Sequence, residues 1–331
     1  MREFGVGPYF TIFTPSYNRA HTLPRVYKSI ASQSFRDFEW LVVDDGSTDN
    51  TAKLVEEWSR ESGFPIRYFH QPNGHKKTAF NRGVREARGE LFLCWDSDDT
   101  APADALQIFH DRWLEIPENQ RGKFVGVTGL CIDEAGGIVG DRYPSSPYDS
   151  DTLSSTLGDN ISGEKWGFQR LDVLREYPFP EFIPGLVGEG LIWNAIARKY
   201  LTRYVNDVVR TYFIETDSIV HSQKTVSKLH AVAEGQCFAA ADFLDRDAPR
   251  WMARAPMKIG KIAANHTRFS LHLWRSGRKV RYSPRTSVGW LIKIIAWPVG
   301  LAAFLYDEFG AAGIKINPLT RKKAVRPIGR E

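Results

Sequence analysis

The sequence predicts an α/β fold: a mostly parallel sheet with helices on both faces, followed by a helical, basic C-terminal region. Three observations point there. Residues 9–130 alternate short apolar runs with amphipathic stretches, and polar side chains gather just after several of those runs. Residues 251–331 hold 16 Lys and Arg against three acids, whereas the first 250 hold 28 against 36. Repeated β-α units force parallel strands joined by right-handed crossovers. Such sheets bind ligands outside the carboxyl ends of their strands.

The elements follow in order. Residues 9–14 form a short apolar strand that stops at Pro15. A helix runs over 22–33, with Thr22 as N-cap and Pro24 in its first turn. Residues 39–43 form the second strand. The turn sequence Asp44-Asp45-Gly46-Ser47 follows, then a helix to residue 60. The third strand is 66–70, with a helix over 77–87 behind it. The fourth is 91–95, with a helix over 102–113, and the fifth is 124–130. Leu191, Ala195, Ile196 and Tyr200 recur at helical spacing, and residues 208–214 make a last strand. Beyond residue 225 the pattern is helical throughout. Leu229, Val232, Ala233, Cys237 and Ala240 share one side of a helix over 225–245, and 257–274 looks similar.

The strand ends carry the chemistry. The first ends in Thr14-Pro15-Ser16-Tyr17-Asn18-Arg19, the second in Asp44-Asp45, the fourth in Asp96-Ser97-Asp98-Asp99. Carboxylates packed this closely repel, and their pKa values rise unless a cation sits among them. Hard oxygen ligands suit Mg²⁺ or Mn²⁺, which in turn hold phosphate oxygens. The plainer reading is an acidic turn capping the helix near Pro102. Convergence of three strand ends on one crevice favours a nucleotide site. GxGxxG and GxxxxGK[ST] are both missing, which argues against dinucleotide-binding and P-loop chemistry. Diphosphate must then be neutralised by a metal and a few side-chain cations.

Four stretches, TIFTPSYNR (11–19), WLVVDDGSTDNT (40–51), NGHKKTAFNRGVREARGE (73–90) and CWDSDD (94–99), stand in an order and spacing that resemble one family. It is the inverting nucleotide-sugar glycosyltransferases of family 2, with the Rossmann-like GT-A fold. The resemblance covers residues 8–215. It implies a catalytic domain over 1–220, with a donor half at 8–130 and an acceptor half at 131–220, and a separate helical region over 221–331. It implies metal-dependent, inverting transfer of a sugar from a nucleoside-diphosphate donor, a UDP-sugar foremost. The acceptor is a glycan or a lipid-linked glycan, in cell-surface polysaccharide synthesis. The alternative is a non-catalytic relative that binds nucleotide sugar or scaffolds a glycan assembly complex.

The roles that the resemblance implies fall on matched positions. Thr14, Pro15 and Tyr17 line the nucleobase pocket, Asp44 hydrogen-bonds the base, and Asp45 shapes the turn. Asp96, Ser97 and Asp98 form the DxD element. Asp98 and Asp99 match positions that hold the ribose and the Mn²⁺ or Mg²⁺, and no single ligand is assigned between them. Lys76 and Asn81 face the donor, with Lys76 a cation for the diphosphate. Glu189 matches the catalytic base, in a Gly188-Glu189 pair where the family commonly carries two acids. The local alternative for Glu189 is an acid favoured by a helix N-terminus. Trp166 is read as core ahead of a sugar-stacking ring. Glu215 and His221 are candidates for a further metal ligand.

The tail adds a second theme. Residues 288–306 are apolar but for Lys293. Trp290, Trp297 and Tyr306 suit a bilayer interface. Arg275, Arg278, Lys279, Arg281 and Arg285 precede the run, and Arg321, Lys322 and Lys323 follow it. Cations on both sides, with Pro298 in the middle, fit a helix lying on an anionic membrane better than a span. The competing reading is a helix buried against the catalytic domain or a second subunit. A homo-oligomer is therefore among the partners to expect. Nucleic acid is not, because its reading motifs are missing. Cys94, Cys131 and Cys237 are odd in number and scattered, and residues 1–8 carry no apolar leader. The location expected is the cytoplasm, peripheral at the inner face of the cell membrane.

Overall fold

The computed structural model describes residues 7–213 and 226–310. One unit is built from residues 7–181 and 192–213, the other from 182–191 and 226–310. In chain order the first unit runs β1 (Phe10–Ser16), α1 (Leu23–Ala31), β2 (Phe38–Asp44), α2 (Thr51–Glu61), β3 (Ile66–His70), α3 (His75–Glu86) and β4 (Leu91–Cys94). It continues with α4 (Ala105–Leu114), the short α5 (Glu118–Arg121), β5 (Phe124–Ile132), β6 (Tyr148–Ser150), β7 (Lys165–Arg170), α6 (Leu171–Glu176), α7 (Gly190–Ala197) and β8 (Leu201–Thr211). The first two residues of α7 group with the second unit.

The eight strands form one sheet in the order β3-β2-β1-β4-β7-β5-β8-β6. The four strands from β3 to β4 are parallel, as the alternation requires. The second half is mixed. β7 runs antiparallel to both β4 and β5, so the fifth strand does not lie beside the fourth. Glycine makes this insertion possible. A Cβ on Gly126 would sit 1.9 Å from the Phe168 carbonyl, and one on Gly167 would sit 2.1 Å from that of Val127. β8 then pairs parallel to β5, and β6 antiparallel to β8.

The core lies on both faces of this sheet. Phe10, Trp40, Leu93, Phe109 and Phe168 are fully buried, and each ring or branched chain stabilises the fold by about 1.5–3 kcal/mol. Trp166 belongs to this core. It packs edge-on against Trp95 and Phe109 at 5.0 and 5.6 Å, and its indole N–H donates to the Cys94 carbonyl at 2.6 Å. The sugar-stacking reading of Trp166 is thereby set aside.

Several boundaries differ from expectation. β1 continues through Pro15 to Ser16, because pairing with β4 ends at Phe13 and leaves that flank of the strand without a ladder partner. Thr22 occupies the N-cap position of α1 but makes no capping bond; its hydroxyl donates to the Arg19 carbonyl at 3.3 Å. α4 starts at Ala105 rather than Pro102. The Pro102 carbonyl instead closes a turn with the Ala105 N–H and accepts from Gln33. α7 ends at Ala197, short of Tyr200.

The second unit is helical: α8 (Val226–Arg246), the short α9 (Ala248–Trp251), α10 (Pro256–Arg275) and α11 (Ser287–Phe309). Leu229, Ala233 and Cys237 of α8 meet Phe269 and Leu273 of α10 in its interior. α11 starts where the Thr286 hydroxyl accepts from the Gly289 N–H, and it carries Pro298 inside. It buries Gly289, Ile292, Ala296, Gly300 and Phe304, one stripe at helical spacing. Leu291, Ile294, Ile295, Trp297 and Val299 are exposed on the rest. One face of this helix is packed and the other is exposed. By length and composition α11 can cross a membrane, with mean hydropathy 1.9. Glu215, His221, Arg321, Lys322 and Lys323 lie outside the described residues.

Candidate active site

The ends of β1 and β2 are locked together before any ligand arrives. The Asp45 N–H donates to the Ser16 carbonyl at 2.8 Å, and the Asn18 N–H to Ser47 Oγ at 2.8 Å. Asn18 itself adopts φ 53°, which asparagine tolerates better than most residues, and its Oδ1 accepts the Thr48 N–H. Asp44 is buried. Its carboxylate accepts the Ser47 N–H at 2.8 Å and the Tyr68 hydroxyl at 2.5 Å. Asp45 holds the loop before α3, accepting the Gly74 N–H and the Gln71 amide. Thr14 is fully buried and its hydroxyl accepts from the Trp40 indole at 3.0 Å. Pro15 is half-buried and Tyr17 is exposed, so of these three only Tyr17 offers a free ring face. Ser16, buried beside them, has a hydroxyl with no hydrogen-bond partner among the described residues.

The loop after β4 is held from both sides. Thr100 exchanges backbone hydrogen bonds with Thr211 at the end of β8. Lys76, in the first turn of α3, reaches Asp96 Oδ1 at 2.8 Å, and Arg210 of β8 reaches Asp96 Oδ2 at 2.9 Å. Burial pushes the Asp96 carboxyl up, but these two cations outweigh it and hold it well below the usual carboxylate range. Asp98 behaves oppositely. Burial and the Asp96 charge push its carboxyl up, against weaker pull from Arg19, Arg210 and Arg25. Arg19 stands 3.8 Å from its carboxylate, and Arg25 donates to its backbone carbonyl at 2.9 Å.

A divalent cation fits this donor set. Asp98 is a carboxylate crowded by a second one, with side-chain exposure of 22%, the condition that a hard metal ion relieves. Asp99 does not fit the ligand role. It is 1% exposed; one oxygen contacts Arg210 Nη2 and the other accepts the Phe213 N–H at 2.8 Å. It is the internal anchor of the loop, and burial pushes its carboxyl up to about 6. Asn81 does not face a donor either. Its amide donates to the Phe179 carbonyl and Glu181, and accepts the Phe179 N–H, which clamps the 179–181 segment onto α3.

Glu189 is exposed and precedes α7, within residues that group with the helical unit. Sequence reasoning missed Arg210, Arg25 and Tyr68. The available signal for Arg210 was a cation directly after the apolar pair Val208-Val209 in β8.

Residues 11–119 match the glycosyl transferase family 2 description. A GalNAc(5)-diNAcBac-PP-undecaprenol beta-1,3-glucosyltransferase of Campylobacter jejuni is 27% identical over 216 residues, covering 62% of this chain; the chain spans 65% of that relative. Two solved structures share the fold. S. aureus TarS with UDP-GlcNAc gives TM-score 0.54 at 19% identity, over 90% of this chain and 81% of that one. The mannosyltransferase PcManGT of Pyrobaculum calidifontis, with GDP-Man and Mn²⁺, gives 0.55 at 17% identity, over 92% and 88%. The order of strands and these likenesses agree: the chain has the GT-A fold, and its residues 11–119 carry the likeness to glycosyl transferase family 2.

Proposed function

We propose that this chain is an inverting glycosyltransferase that moves a sugar from a nucleoside-diphosphate donor to a glycan or lipid-linked acceptor. The observation that carries the reading is Asp98, a crowded carboxylate at the end of β4, beside Asp96 with its two cations. Tyr17 and Ser16 at the end of β1 are proposed to meet the base, with Asp44 beside them. Lys76, Arg19 and Arg25 are the cations for the diphosphate. Asp98, next to Asp96, would hold Mn²⁺ or Mg²⁺, which when bound supplies Lewis-acid stabilisation of the leaving diphosphate. Glu189 is proposed as the base. It takes the proton from an acceptor hydroxyl while that oxygen bonds to the anomeric carbon, and the anomeric C–O bond electrons leave with the nucleoside diphosphate. A structural relative holds a UDP-sugar and another holds GDP-Man with Mn²⁺, which supports the donor class. The named activity of the Campylobacter relative supports a lipid-linked acceptor.

The exposed apolar face of α11, with basic residues before it, supports attachment to an anionic membrane, where lipid-linked acceptors reside. The test of the donor site is a thermal-shift and hydrolysis panel of UDP-, GDP- and TDP-sugars with Mn²⁺ or Mg²⁺, on the wild type and Asp98→Ala. Metal-dependent stabilisation by one donor, lost in the variant, is expected. No response to any donor would sink the reading, and binding without turnover on any acceptor would favour a scaffold role.

A further inference from the structure

We propose that His230, His272 and Glu308 form a zinc-class metal site that staples α8, α10 and α11 of the helical unit. Each helix contributes one ligand: His230 from α8, His272 from α10 and Glu308 from α11. One ligand atom from each residue lies within 4.8 Å of the others. His230 Nε2, His272 Nδ1 and Glu308 Oε1 are all buried atoms without a hydrogen-bond partner among the described residues. Three orphaned polar atoms on three residues clustered this closely is an expensive arrangement, since each forfeits its hydration. A cation that accepts all three lone pairs removes that penalty.

The geometry is close to what such an ion needs. His272 Nδ1 and Glu308 Oε1 are 3.4 Å apart without hydrogen-bond alignment. Tetrahedral zinc with bonds near 2.0–2.1 Å sets neighbouring ligand atoms about 3.3 Å apart. Two imidazoles and one carboxylate are a donor set used by zinc sites that keep an open fourth position, and imidazole disfavours Mg²⁺ or Ca²⁺ there. The outer shell is also in place. His272 is fully buried, and its Nε2 lies 3.0 Å from Asp307 Oδ2. A proton shared there directs the Nδ1 lone pair into the cluster. Asp307 is fixed in turn by Arg268, whose Nη2 donates to Oδ1 at 2.6 Å. Arg275 stands 3.8 Å from the outer oxygen of Glu308, leaving Oε1 to face the histidines. These residues are separate from the Asp96–Asp98 loop, which belongs to the other unit.

The test uses the full chain carrying Asp98→Asn, so that the carboxylate loop does not contribute. The protein is stripped with a chelator, then titrated with Zn²⁺ against a chromophoric competitor. Thermal melting is followed in parallel. One equivalent of zinc per chain is expected, with a raised Tm and, for Co²⁺ in its place, absorption of four-coordinate strength. His230→Gln in the same background should weaken zinc binding at least about tenfold and abolish the Tm rise, with the metal-free Tm unchanged. Should that variant fold poorly, Glu308→Gln serves the same purpose. Absence of zinc binding in the Asp98→Asn chain, or undiminished binding in the ligand variants, would overturn the site.

Discussion

Arg210 and Asp99 form a buried ion pair, 5% and 1% exposed at the side chain, that ties β8 to the loop after β4. The same Nη2 atom also holds Asp96. Removing the cation strands a carboxylate in the interior, so Arg210→Met should cost about 3–5 kcal/mol of stability. Arg210→Lys, which lacks the planar fork, should fall between the two. Urea unfolding of the three proteins measures this. A Met variant as stable as the wild type would mean that the pair contributes nothing to the fold.

Asp96 and Asp98 sit two residues apart and should respond oppositely to neutralisation. Asp96 satisfies Lys76 and Arg210, so Asp96→Asn should lose about 1–3 kcal/mol. Asp98 is pushed up by burial and by Asp96, so Asp98→Asn relieves repulsion and should leave the Tm unchanged or slightly raised. Its loss should appear instead as failure of a nucleotide sugar with Mn²⁺ to stabilise the protein. Melting curves with and without donor separate the two. Equal destabilisation by both substitutions contradicts the assignment.

These two carboxylates also show what the sequence could reveal. Alternating apolar runs, turn residues and clustered acids are local signals, and β1 to β4 with their polar ends follow from them. Arg210 meets Asp99 across 111 positions, and no local pattern announces such a partner. The same blindness left the resemblance free to read Asp99 as a metal ligand and Asn81 as a donor contact, because both spend their polar atoms on residues distant in sequence. The antiparallel β7 between β4 and β5 was hidden for a related reason: pairing is non-local, and only Gly126 and Gly167 hint at a close approach.

Glu189→Gln should abolish sugar transfer while leaving donor binding intact. Gln keeps the shape and hydrogen-bonding reach of Glu but cannot take a proton. Loss of about 10²–10⁴-fold in kcat is the expected range for a general base, with the donor-induced thermal shift unchanged. Near-normal turnover in the variant would assign the base elsewhere.

His266 should make the protein acid-sensitive. It is fully buried on α10, with Nε2 3.0 Å from the Tyr282 carbonyl, and burial pulls its pKa down to about 4, helped by Lys293. The unfolded chain binds the proton near pH 6.5 and the folded chain only near 4. Stability from this group is therefore complete above about pH 6.5 and is lost as pH falls toward 4, by about 3 kcal/mol. His266→Gln, which can still donate to Tyr282, should flatten that part of the pH–stability curve. An identical slope in wild type and variant would remove His266 as the cause.

α11 presents Leu291, Ile294, Ile295, Trp297 and Val299 to its surroundings while its buried stripe stays occupied by Ile292, Ala296, Gly300 and Phe304. Substitution on the outer face should therefore leave the fold intact. Ile295 is 71% exposed, so Ile295→Glu should hardly change the Tm, yet it places a charge where acyl chains would lie. Binding of the full chain to vesicles containing anionic lipid should fall by roughly tenfold or more on cosedimentation, since a carboxylate in hydrocarbon costs several kcal/mol. Raising salt should weaken the wild type as well, through the Arg278, Lys279, Arg281 and Arg285 cluster that precedes the helix. If Ile295→Glu converts a dimer to a monomer and leaves vesicle binding unchanged, the outer face is a subunit contact and the membrane assignment fails.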